Sequence, residues 1–216
     1  PKALIEYLTN LANSNFEIWR KNNPLLDVEE FPFDGFNITA NRPVFDIVKL
    51  NDISKDMISK YTAETCYEKL LAWAKEFSME NVSYLEKDKE YVLKVLNIDR
   101  EKEKPRKDIY KWSMVLDYFD YMFSAPKAYQ IDEVDKKKFE EVLRSYKKYI
   151  DLSDKDVWFN SIKEMASSLG YATDNKEYKL NKEKFKGNVA KVCEFLRVAV
   201  TGHKDSPDLY EIMSIL

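Results

Sequence analysis

The run Val189-Ala-Lys-Val-Cys-Glu-Phe-Leu-Arg-Val-Ala-Val-Thr-Gly202, followed after a short loop by Ser206-Pro-Asp-Leu-Tyr-Glu-Ile-Met213, decides the fold class. Its apolar residues recur at helical spacing from Val189 to Val200, and Thr201-Gly202 supplies the stop. Ser206 and Pro207 then read as the cap and first turn of another helix that reaches Ile215. Lys186-Gly187 stands just ahead of the pair.

The same punctuation repeats toward the N-terminus. Asp156–Leu169 reads as a helix ended by Gly170, with a polar link over 171–183 after it. Residues 133–150 read as a charged helix, with a turn at Asp151–Asp154. Asp108–Phe123 reads as an aromatic-rich helix broken by Ser124-Ala-Pro126. Further helices are expected from about Lys87 to Asn97 and around Leu70, Leu71, Trp73, Ala74 and Phe77. Two more are expected from Val44 to Lys60, and over 1–14 through Leu4, Ile5, Leu8, Leu11 and Ala12. Pro24, Pro32, Gly35 and Pro43 mark 22–43 as loops and short turns, and Pro105 with dense charge marks Arg100–Lys107 as a connection. Seven or eight helices with almost no strand signal predict an all-α, bundle-like architecture, with 1–60 as one small unit.

Composition agrees. Four glycines in 216 residues is few against an average near 7%, and phosphate-cradling loops need glycine. Hydrophobic residues make up 44% and charged residues 34%. No apolar run approaches the roughly 18 residues of a membrane span, and no leader pattern opens the chain. Pro1 in place of a methionine, and a helical pattern that stops at Leu216, read as the edges of a piece of a longer protein. Cys66 and Cys193 are too few for a disulfide framework and, with His203 as the only histidine, form no metal-ligand set. A reducing cytoplasm is the expected compartment. A net charge of −3 argues against indiscriminate nucleic-acid binding. It leaves room for a local basic face, because screening confines a patch's field to about 8–10 Å.

Basic residues do cluster locally. Arg100 to Lys111 holds six basic and three acidic residues, with Tyr110 and Trp112 beside them. By composition this is a solvated charge run, yet lysine as phosphate anchor and arginine as base reader also fit it. Arg197 lies inside an apolar helix, where a buried stem with a wet head is the ordinary reading. Its planar fork of donors could also pair with a base edge or a phosphate. Tyr118, Phe119, Tyr121 and Phe123 read as core, and Lys136-Lys-Lys138 and Lys147-Lys148 as solvated helix faces.

Phe185-Lys-Gly187, Phe195–Gly202 and Ser206–Met213 together resemble the anticodon-binding end of the glutamyl-tRNA synthetase family. Pro1-Lys-Ala-Leu4 with Tyr7-Leu8 and Leu11 resembles the family's first helix after its catalytic half. Val44-Phe-Asp-Ile-Val-Lys-Leu-Asn51 resembles a further family segment, although Asn13 and Asp52 depart from it. Lys104-Pro-Arg-Lys-Asp-Ile109 resembles, more loosely, a basic turn of the first anticodon-binding bundle.

This resemblance implies a stem-contact unit at 1–60 and two anticodon-binding subdomains at 61–150 and 151–216, the last truncated. It implies tRNA anticodon contacts from Arg197, Ser206, Pro207, Leu209 and Arg106, with Lys104, Lys107 and Lys186 as phosphate contacts. Pro207 and Leu209 would form a flat apolar rim for an unstacked base. The parent protein would be a monomeric ligase that joins glutamate to tRNA with ATP and Mg2+. Its catalytic domain would be a partner of this region. No catalytic residue, metal site or membrane partner is expected here, and this piece alone would be inactive. Glutamine tRNA could be a second RNA partner. The alternative is a helical protein-interaction scaffold with no RNA partner.

Overall fold

A computed structural model describes residues 1–33 and 44–216. The expected loop over 22–43 therefore lies partly outside the described residues, and Gly35 and Pro43 fall in that part. Among the described residues the regular structure is helical, and Ala172 and Asn188 form one isolated parallel bridge. The all-α expectation holds. The chain divides into two compact units, Pro1–Val115 and Leu116–Leu216.

In the first unit α1 (Lys2–Ala12) packs against α3 (Ile47–Ser59), with α2 (Phe16–Asn22) beside α1. The link between α1 and α3 is specific. The buried Tyr7 hydroxyl accepts from the Asp46 amide at 2.6 Å, and the Tyr7 ring meets Phe45 edge-on at 5.2 Å. Asp46 then caps α3 by accepting from the amides of Val48 and Lys49. The α2 region closes a satellite core of Phe16, Val28 and Phe31 with Trp19 against it. Arg20 secures the turn after α2 by donating to the carbonyls of Asn23 and Leu26 and to Glu6.

Thr62 caps α4 (Ala63–Phe77), and Asp88 caps α6 (Lys89–Asn97), with α5 (Val82–Lys87) between them. Cys66, Leu70 and Ala74 of α4 and Val92, Val95 and Leu96 of α6 are buried. Both α2 and α5 escape a reading of the sequence, since each is too short to show a full turn-to-turn repeat.

One segment departs clearly from expectation. Asp108–Phe123 is not a continuous helix: α7 (Val115–Tyr118) is flanked by 3-10 turns at Trp112–Met114 and Asp120–Met122. Of the four aromatics read as core, Phe119 and Tyr121 are buried, and Tyr118 and Phe123 are half-buried.

The second unit is organised by α8 (Lys136–Tyr146), α9 (Lys155–Ser168), α11 (Val189–Thr201) and α12 (Leu209–Ile215). Val142, Tyr146, Trp158, Ile162, Met165, Val192, Phe195, Leu196 and Leu209 share one core. The Trp158 indole donates to the Tyr146 hydroxyl at 2.9 Å inside it. The residues expected on either side of a boundary at 150/151 thus pack together. The boundary expected at 60/61 is also spanned: Arg100 donates to the carbonyls of Ile58, Tyr61 and Leu96, and Ser54 donates to the carbonyl of Tyr110. Helix α8 is shorter than expected, with a 3-10 turn at Glu133–Asp135 before it. The polar link over 171–183 contains α10 (Asn175–Leu180), started by Asp174 accepting from the amides of Lys176 and Glu177.

Candidate nucleic-acid interface

Helix α11 begins where Asn188 accepts from the Lys191 amide. Just before it, Lys186–Val189 runs beside Gly170–Ala172: Ala172 donates to the Gly187 carbonyl at 3.0 Å and Val189 to the Ala172 carbonyl at 2.8 Å. A side chain at Gly187 would come within 3.2 Å of the Tyr171 ring, so the Phe185-Lys-Gly187 motif is first a packing motif. The helix ends at Gly202, whose φ of +78° is left-handed and whose amide bonds to the Val198 carbonyl. A Cβ there would lie 2.6 Å from the Ala128 carbonyl oxygen, and Gln130 donates to the Gly202 carbonyl at 2.8 Å.

The loop after Gly202 is folded by the buried Thr201. Its hydroxyl donates to the Arg197 carbonyl at 2.8 Å and accepts from the His203 amide at 3.1 Å. This fold brings Ser206 back onto the helix. The half-buried Arg197 donates its Nε–H to the Ser206 hydroxyl at 3.0 Å. Ser206 is buried and donates onward to the Pro207 carbonyl at 3.0 Å. Both terminal nitrogens of Arg197 keep their protons uncommitted, since no hydrogen bond or ion pair occupies them among the described residues. A guanidinium oriented through Nε, with its outer edge open, presents a paired donor set.

Arg197 and Ser206, two of the expected contacts, are thus brought together. Pro207 and Leu209 lie differently. Leu209 is 4% exposed and belongs to the core, and Pro207 is buried too. The expected open apolar rim is closed. The cap of α12 is Asp208, which accepts from the Glu211 amide at 3.1 Å, rather than Ser206. The serine instead positions Arg197. Neighbouring charges are mostly balanced, with Lys204 paired to Asp132 at 2.8 Å and Lys155 paired to Asp208. One turn before Arg197, burial pushes the Cys193 thiol up to about 11, although the Arg197 charge pulls the other way. Such a thiol stays protonated at neutral pH and is no nucleophile.

Arg106 lies in the first unit, on a stretch without regular structure. It is exposed, and its Nε donates to Asp108 at 2.5 Å. Lys107 is paired to Asp56 at 2.5 Å, Lys104 is exposed, and Lys186 in the second unit holds Glu141 at 2.9 Å. Arg100 serves as a strut between backbone carbonyls and drops out of the RNA-facing set. The described glycines Gly170, Gly187 and Gly202 each sit at a helix end or a close approach, so these residues do not fit a triphosphate cradle.

Helices packed around buried apolar cores, with a positioned arginine at a helix–loop–helix end, define an all-α domain. A family model described as "Anticodon binding domain" matches residues 65–216, and the chain belongs to that family. A glutamate–tRNA ligase of Acetivibrio thermocellus is 40% identical over 221 residues, covering all of this chain and 40% of that protein. A glutamate–tRNA ligase of Clostridium perfringens is 39% identical over 223 residues, again covering all of the chain and 41% of the relative. The chain therefore spans about two-fifths of the length of these relatives. The crystal structure of a glutamate–tRNA synthetase from Elizabethkingia anophelis superposes with a TM-score of 0.62 at 18% identity, covering all of this chain and 37% of that one. That likeness shows the fold alone.

Proposed function

We propose that this chain is the anticodon-reading region of a glutamate–tRNA ligase. Arg197 reads the anticodon loop through the open edge of its guanidinium. The observation that carries this reading is the Arg197–Ser206 bond at 3.0 Å, which orients the side chain and leaves its outer donors available in the family's own domain. Single-stranded loops are read in this way because their bases are already unstacked. Leu209 and Pro207 act by holding the loop that carries Ser206. Arg106 faces the third anticodon base, with Lys104 and Lys107 nearby as phosphate contacts and Lys186 as another on the second unit.

The parent protein joins glutamate to its tRNA in the cytoplasm as a monomer. ATP and Mg2+ act in its catalytic domain, and no step runs through the residues here. Exposed Leu4, Ile5 and Leu8 of α1, with Val44, Phe45, Ile47 and Val48 at the start of α3, supply an apolar face suited to that domain. This supports reading 1–60 as a stem-contact unit; the anticodon-binding parts are 61–150 and 151–216, with α8 of the former sharing the core of the latter. No membrane partner is part of the proposal, and no helix among the described residues is long and apolar enough to cross one.

The test is binding of anticodon stem-loops varied at the third anticodon base, across a salt series. The proposal expects affinity that falls steeply with salt, since counterions are released from phosphates on binding. Absence of binding at low salt would favour a protein-interaction scaffold. The series also reports whether glutamine anticodons are accepted.

A further inference from the structure

The expected polar link over 171–183 and the three residues after it carry five lysines, Lys176, Lys179, Lys182, Lys184 and Lys186, against Asp174, Glu177 and Glu183. The first four lysines are exposed and have no ion-pair partner among the described residues, whereas Lys186 is held by Glu141. Elsewhere in the same unit, Lys136, Lys138, Lys155, Lys191 and Lys204 are each paired to a carboxylate. Lys127, Lys137, Lys147, Lys148 and Lys163 of the unit also lack an ion pair among the described residues, but they are spread along the chain, whereas α10 and the 3-10 turn Lys182–Lys184 that follows it hold four within nine residues.

This segment is also held in place. Asp174 caps α10, Asn181 closes it by donating to the Glu177 carbonyl, and the Asn188 side chain donates to that of Asn175 at 2.6 Å. Asn188 is the cap of α11, so the lysines are fixed to the start of the helix that bears Arg197. Leu180, at 82% exposed, projects among them.

We propose that Lys176, Lys179, Lys182 and Lys184 form a second RNA-contacting surface, which binds the phosphate backbone without regard to sequence. The proposal rests on the tRNA-binding reading and extends it to residues outside the arginine site. Lysine suits the task, being a compact point charge on a flexible stem that needs no planar partner. From Asn188 to Arg197 the helix rises about 14 Å at 1.5 Å per residue. That is the axial span of about four stacked nucleotides at about 3.4 Å each. Nine residues at about 3.6 per turn also carry Arg197 to the far side of the helix axis from Asn188, so an RNA track from the arginine to the lysines passes around α11. Leu180 offers a small apolar contact to a base edge beside that track. The division of labour follows: the lysines set the sequence-independent, salt-dependent part of the affinity, and Arg197 sets the part that comes from the anticodon loop.

The experiment compares the 216-residue chain with a variant carrying Lys176→Ala, Lys179→Ala, Lys182→Ala and Lys184→Ala together, using a full-length glutamate tRNA transcript. All four positions are exposed, and circular dichroism with a thermal scan checks that the variant is folded. Binding is titrated from about 50 to 200 mM salt, a range over which phosphate-driven binding weakens strongly. The expected result is a slope of log K against log salt that is shallower by about 3, since each phosphate no longer neutralised removes about 0.7–0.9. The same loss in affinity is expected for transcripts with altered anticodons. A folded variant whose slope and affinity match the parent chain overturns the proposal, even if Arg197→Ala still weakens binding. If the lysine variant instead loses affinity only for the cognate anticodon, the surface reads sequence and the backbone assignment is wrong. Failure of the unaltered chain to bind any transcript would sink the tRNA reading itself, a separate outcome.

Discussion

The two arginines singled out for base contact live in opposite surroundings. Arg197 projects from a helix whose Val192, Phe195 and Leu196 are locked in a shared core, and its Nε is held by a buried serine. Arg106 lies on exposed chain without regular structure, with its Nε on Asp108. The first side chain is oriented before any ligand arrives, so less conformational entropy is lost on binding. The second must break or share an ion pair and order its segment. The difference implies that Arg197 governs affinity and Arg106 governs a finer choice between anticodons.

The sharpest way to break this comparison is to loosen the support of Arg197 without touching it. Leu209→Ala removes a core side chain one loop away and is expected to cost about 2–5 kcal/mol of stability, read by chemical denaturation. An effect below about 1 kcal/mol would mean that the loop is not anchored by its core. Gly202→Ala comes next. The left-handed φ and the 2.6 Å approach to the Ala128 carbonyl predict about 1–3 kcal/mol of destabilisation in the same assay.

Arg106→Gln probes the other region. Stability should stay within about 0.5 kcal/mol of the parent, as for other exposed positions. Discrimination between stem-loops differing at the third anticodon base should fall. Equal selectivity of variant and parent would remove Arg106 from base recognition.

The smallest effect concerns the anchoring of the Arg106 segment. Burial pushes the Asp56 carboxyl up, but hydrogen bonds and charge from Lys107 and Lys60 outweigh it and leave it below the usual carboxylate range. A carboxylate lowered in the folded state adds stability that is complete above its unfolded value near 3.9 and is lost as pH falls through the folded value. These pairs are partly exposed, so solvent screening limits the contribution to no more than about 1 kcal/mol. Asp56→Asn should flatten the stability curve of the first unit below about pH 4. An unchanged curve would show that the pairs are incidental.

Much of this was legible in the residues. Apolar spacing located α1, α3, α4, α6, α9 and α11 closely, because each is long enough to repeat its buried face. Gly202 marked the end of α11 because the left-handed position there demands glycine. The short helices α2, α5 and α10 were missed for want of repeats. Asp174, three residues ahead of Glu177, was the only local signal for α10. The aromatic run 108–123 misled because hydrophobicity located buried Phe119 and Tyr121 but not the breaks between α7 and its flanking 3-10 turns. At the site, Arg197 could be named from the chain. The inward placement of Pro207 and Leu209, the use of Ser206 as a holder, and the neutralisation of Lys107 by Asp56 and of Lys186 by Glu141 depend on partners distant in sequence.

The most direct measurement is the affinity of the chain and its Arg197→Ala variant for a glutamate anticodon stem-loop at fixed low salt. Losing charge-assisted bonds worth about 1.5–3 kcal/mol predicts weakening by about 10- to 150-fold, with thermal stability nearly unchanged. Equal affinity of the two proteins would contradict the assignment of anticodon recognition to this helix.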